Sequence, residues 1–110
     1  MGINYPFGDI DTKSISADAS DDAITITEQE TYITTATLTS NATLDLTVDS
    51  GVKAGAKIHI KCTTNGSETF AFGTAIDGPT VTGSAGKTWC QSYVYNGTTF
   101  YPMGAKIQID

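Results

Sequence analysis

ATLDLTVDSGVKAGAKIHIKCTTNGSETFAF, residues 42–72, decides the fold. Leu44, Leu46 and Val48 alternate with Asp45, Thr47 and Asp49, and Ile58, Ile60 and Cys62 alternate with Lys57, His59 and Lys61. Phe70 and Phe72 repeat the pattern after Asn65-Gly66. Alternation with period two marks a strand with one buried face, and an Asn-Gly pair between such runs predicts a hairpin. Glycine-bearing turns at Asp49–Gly51, Lys53–Gly55, Gly78-Pro79, Ser84–Gly86 and Asn96-Gly97 punctuate the remainder.

Outward from that stretch the pattern persists. Ile24 and Ile26 lead, then Tyr32, Thr34, Ala36 and Leu38 share one face, and Val81, TWCQSYVY and TTFY follow, with Ile107 and Ile109 in the tail. Thr or Gly interrupts every window in which a helical i, i+3, i+4 apolar row could form. The expected fold is all-β, a β-sandwich or jelly-roll of about eight short antiparallel strands. The strand windows are too dissimilar to mark an internal repeat. Residues 23–110 are expected to form this domain, and residues 1–22 an extended N-terminal arm. Within the arm, Tyr5, Pro6, Phe7 and Ile10 are either part of a frayed terminus or an aromatic–proline anchor for a partner.

Composition narrows the function classes. The 110 residues suit one domain with its own core. Charged residues are only 16%, the net charge is −6, and all six basic residues are lysines. Without arginine or a basic patch the chain is a poor partner for nucleic acid or an anionic membrane. No apolar run reaches the length of a transmembrane helix, and the first residues lack the basic and apolar regions of a secretory signal. Asn41, Asn65 and Asn96 each open a sequon, read here as a coincidence of Thr-rich sequence. Cys62 and Cys90 are either two reduced small hydrophobes or a bridge between their strands.

Catalytic chemistry is hard to assemble. His59 is the single histidine, mid-strand between two lysines, and is expected to face solvent. One histidine and two separated cysteines do not make a zinc site. Asp9, Asp11, Asp21 and Asp22 lack an EF-hand-like loop. The stretch Gly83–Thr88 resembles a phosphate loop but has the wrong glycine spacing and no following helix. No metal or cofactor is expected, and the chain is expected not to be an enzyme. Trp89, Tyr93 and Tyr95 are read as core or interface aromatics, with a sugar-stacking platform as the alternative.

The order of motifs carries a resemblance. Thr43-Leu44, Leu46, Val48, Lys53-Ala54-Gly55, Ile58 and Ile60 are followed by Phe70-x-Phe72-Gly73 and Gly83-Ser84-Ala85-Gly86-Lys87. Tyr93-x-Tyr95-Asn96-Gly97-Thr98 and Phe100-Tyr101 close the series. This succession, over roughly residues 36 to 101, resembles β modules of tailed-bacteriophage virion proteins: head fibres, capsid decoration proteins and tail-fibre segments. The resemblance implies a non-enzymatic virion structural protein, assembled in the host cytoplasm. It also implies attachment to the major capsid protein or other virion proteins, and a homo-oligomer, with a trimer favoured. The alternative is a tail-fibre or baseplate accessory, or a module binding a host glycan.

Overall fold

The computed structural model describes residues 10–18 and 22–109. Among the described residues it contains nine strands and no helix. They are β1 (Ile10–Ile15), β2 (Asp22–Ile26), β3 (Glu30–Thr35), β4 (Ala42–Val48), β5 (Lys57–Thr63), β6 (Thr69–Phe72), β7 (Val81–Thr82), β8 (Thr88–Tyr95) and β9 (Phe100–Gln108). Two mixed sheets result, one ordered β1-β3-β5-β8-β9 and the other β2-β4-β6-β7.

The chain order explains the mixture. From β1 to β6 successive strands alternate between the sheets. Each pair of strands is therefore one coil, and like strands of successive coils lie side by side and parallel: β1 on β3, β3 on β5, β2 on β4, β4 on β6. A parallel neighbour needs a crossover, and here the strand in the opposite sheet supplies it. The coils are also tied at one corner, where Thr39 N–H donates to Ala17 O, Leu38 N–H to Thr63 O, and Asn65 N–H to Leu38 O. At the other corner Gln29 bridges two loops, accepting from Lys53 N–H at 2.6 Å and donating to Lys53 O. Only after β6 does the chain turn antiparallel, with β7 beside β6 and the β8–β9 hairpin closing on β5.

Strand direction is thus a correction. The expectation of antiparallel strands holds for three pairings, while four among the described residues are parallel. Ile10–Ile15, expected in the arm, is an edge strand of the larger sheet, with Ile15 in the core. Tyr5, Pro6 and Phe7 lie outside the described residues.

The two buried faces share one core. Ile15, Ile33, Ile58, Ile60, Trp89, Tyr93 and Phe100 come from the larger sheet, and Ile24, Ile26, Ala42, Leu44, Leu46 and Phe70 from the smaller. Rings join the layers: Phe70 meets Trp89 edge-on at 5.6 Å, and Phe72 meets Tyr93 at 5.2 Å. Both geometries lie within the range that aromatic pairs favour.

Candidate functional site

The outward faces of the two sheets differ in chemistry. On the smaller sheet the outward positions are Ala23, Thr25, Thr43, Asp45, Thr47, Thr69, Ala71 and Thr82. Strand register sets out the larger sheet in three rows. Ile10, Glu30, Lys57, Val94 and Tyr101 form the first, and Thr12, Tyr32, His59, Ser92 and Met103 the second. Ser14, Thr34, Lys61, Cys90 and Ile107 form the third. The large apolar side chains that stand exposed among the described residues are Ile10, Tyr32, Tyr101, Met103, Ile107 and Ile109. Five of them lie on this face, and Ile109 just past the end of β9. Five strands at ~4.8 Å and three rows two residues apart make a patch on the order of 500 Å². Tyr101, Met103 and Ile107 group on β9, and Ile10 and Tyr32 on β1 and β3, with Lys57, His59 and Lys61 of β5 between them. Exposed apolar groups rimmed by polar residues commonly mark a contact surface.

At its centre three strands contribute one polar line. His59 on β5 approaches Glu30 Oε2 of β3 through Nε2 at 2.7 Å, and Ser92 Oγ of β8 through Nδ1 at 2.8 Å. An ionised carboxylate only accepts, so Nε2 carries the proton shared with Glu30. In neutral His59 the Ser92 hydroxyl then donates to Nδ1. The Tyr32 ring tilts against the imidazole at 5.6 Å. His59 stands on the outward face, as expected of a solvent-facing strand histidine, but it is half-buried and doubly bonded there.

Ser–His–Glu is also the composition of a nucleophilic relay, but the setting is wrong for one. An acyl-transfer site needs free backbone donors aimed at a developing oxyanion. His59 and Ser92 are paired residues in the middle of a continuous ladder between β5 and β8, where backbone donors serve the sheet. The side chains stand on an open sheet face, and a groove lined by Tyr93 and Pro102 lies on the opposite side of the sheet. What the line can do is fix strand register: a slip of two residues preserves the inside–outside pattern but breaks both bonds.

The other sequence-derived candidates fall elsewhere. Trp89, Tyr93 and Tyr95 are buried at 3%, 2% and 9% exposure, so they are core residues and not a stacking platform. Tyr95 lies stacked on Phe100 at 4.6 Å. Burial pushes Tyr93 well above the ordinary tyrosine range. Of the four arm candidates Ile10 alone is described, exposed at the margin of the outward face. Cys62 pairs with Trp89 and Cys90 with Lys61, which puts the two sulfurs on opposite faces, and both are free thiols. Burial pushes the Cys62 thiol up to about 11, against a smaller opposing effect of Thr35 and Trp89. Asp11 is held by Lys13 at 3.3 Å, and no group of three metal-ligating side chains exists among the described residues. In the Gly83–Thr88 stretch, Gly86 N–H donates to Thr64 O and Lys87 N–H to Ser84 O, so those donors are spent within the protein.

Sequence reading missed this face because its members are scattered over five strands. Tyr32, Met103 and Ile107 read as ordinary alternation until the register lines them up. Comparison with known proteins returned no matching family, curated protein or solved structure.

Proposed function

We propose that this chain is a non-enzymatic structural module that attaches to a larger assembly through the outward face of its five-stranded sheet. The observation that carries the reading is the asymmetry between the two outward faces: one is Thr- and Ala-rich, the other holds the exposed apolar side chains. The Glu30–His59–Ser92 line at its centre is satisfied internally, so what a partner covering the centre has to match is the exposed Lys57 and Lys61 on either side of it. We read the body as a two-layer β-sandwich. Its setting, following the motif resemblance alone, is the exterior of a tailed-phage particle as a capsid decoration or head-fibre protein. Major capsid protein or a neighbouring virion protein is then the partner, and the module works as a homo-oligomer. The segment bearing Tyr5, Pro6 and Phe7 supplies a second contact.

The test is incorporation into purified particles, followed by mass spectrometry. Tyr32→Asp with Ile107→Asp should keep the native circular dichroism spectrum and abolish incorporation, since both positions are exposed. Absence of the wild-type protein from particles removes the virion setting. Undiminished incorporation of the double variant removes the face.

A further inference from the structure

We propose that residues 3–7 of one copy of this chain dock as an added strand in the groove between β7 and β9 of a second copy, linking copies head to tail. This rests on the reading of the N-terminal segment as a contact and names what it contacts.

The groove exists because the sheets are unequal. The larger has five strands and the smaller four, and the last of those, β7, has only two residues. β9 therefore overhangs the core and is exposed from Tyr101 to Gln108. Beneath the overhang is a cavity of about 330 Å³ lined by Pro79, Val81, Thr82, Tyr93, Pro102 and Lys106, among others. That volume is at the low end of the ~300–1,000 Å³ of ligand pockets, room for a short extended segment. One wall is β7, the last strand of its sheet, and an open strand edge accepts an extended peptide by main-chain hydrogen bonding. The opposite wall is a bulge. Cys90 pairs with Ile107 and Ser92 with Met103, so Gly104, Ala105 and Lys106 oppose Gln91 alone. The Gln91 amide donates to the Met103 and Gly104 carbonyls at 3.1 and 3.0 Å, which fixes the bulge in place.

The occupant follows from the sequence ahead of β1. In Ile3-Asn4-Tyr5-Pro6-Phe7 the apolar residues alternate, as a half-buried strand requires, and Pro is tolerated in an edge strand. The only charged side chain in residues 1–9 is Asp9, and Lys106 stands at the groove. Reach decides which copy supplies it. Asp11, Thr31, Ile58, Tyr93 and Pro102 form one row, so β1 lies four strand spacings from β9, about 19 Å. Phe7 is three residues from Ile10 and Tyr5 five, which span at most about 10 and 17 Å. A chain's own segment falls short, whereas a neighbour's does not. Contact between unlike surfaces propagates head to tail, closing into a ring where the rotation allows.

The test is sedimentation of the full-length protein across a concentration series, with two variants that disable opposite halves of the contact. Tyr5→Ser with Phe7→Ser removes the inserted side chains. Ala105→Trp fills the groove from an exposed position and should leave the core intact. Wild type should reach at least twice the single-chain mass, and each variant alone should fall to the single-chain mass. An equimolar mixture of the two variants should regain a twofold mass, because one keeps its segment and the other its groove. A wild type that stays at single-chain mass, variants that remain associated, or a mixture with no regained mass overturns the proposal. The outward-face reading is untouched by any of these results, since its own test alters Tyr32 and Ile107 and reads incorporation into particles.

Discussion

Replacing Phe70 by Ala should be among the costliest single changes in this protein. Phe70 is fully buried on β6, pairs with Ala42 and Val81, and carries ring contacts to Trp89 across the layers and to Phe72 beside it. Truncating a buried Phe costs about 3–5 kcal/mol from lost transfer and an unfilled cavity. Each aromatic pair adds about 0.5–1.5 kcal/mol beyond area, so the upper half of that range applies here. A domain of this length has about 5–15 kcal/mol in all, so the change removes about a quarter or more. With a urea slope of about 2 kcal/mol/M, the unfolding midpoint should fall by about 2 M. Trp89 is the only tryptophan, and its fluorescence reports the transition directly. A double-mutant cycle of Phe70→Leu with Trp89→Leu, followed by circular dichroism because the second variant lacks the tryptophan, isolates the interlayer pair, with an expected coupling of about 0.5–1.5 kcal/mol. A loss below about 1.5 kcal/mol for Phe70→Ala would refute the view that this ring joins the layers; the cavity term alone exceeds that.

Further outcomes test other parts of the description. Gly83→Ala should destabilise strongly, because a Cβ there would sit 2.6 Å from Thr64 Cγ2, and Thr64 is itself buried; a thermal melt unchanged from wild type contradicts that packing. Thr31→Val should raise stability by about 1 kcal/mol, since the buried Thr31 hydroxyl has no hydrogen-bond partner and an isosteric methyl removes that penalty. Alkaline pH should weaken the fold. The Cys62 thiol is raised from 9.0 to about 11 and Tyr93 is raised as well, so both favour the protonated native state. Urea midpoints should therefore hold below about pH 9 and fall as pH rises through about 11, less steeply in Cys62→Ala. A thiol reagent at pH 8 should label half-buried Cys90 in the native protein and reach Cys62 only after unfolding.

Alternation was legible, and direction was not. The rows Leu44–Leu46–Val48 and Ile58–Ile60–Cys62 are inward as their sequence requires, because the period of two fixes the face of each side chain. Which strand each one joins depends on what the turn between them does. Asn96-Gly97 closes a hairpin: Gly97 has φ +101°, and Asn96 Oδ1 accepts from Thr98 N–H and Thr99 N–H. Asn65-Gly66 has the same dipeptide, yet it carries the chain from β5 in one sheet to β6 in the other. There Asn65 N–H is already committed to Leu38 O of the preceding coil, and Gly66 N–H to Glu68. The dipeptide is identical, but of the two glycines Gly97 alone takes a positive φ; the bond that ties Asn65 to the preceding coil comes from a residue 27 positions earlier, beyond any local window. The Glu30–His59–Ser92 line was invisible for the same reason, since its members are 29 and 33 positions apart.

The alternating path of β1 to β6 also governs how such a body can vary in size. Each winding returns the chain to the same sheet one place further along, so duplicating one would widen both layers without reversing any strand or moving a terminus across the core. The overhanging hairpin and the N-terminal edge would stay as fixed ends. Growth by whole windings would thus change the molecule's span while leaving its two ends free to keep the same neighbours.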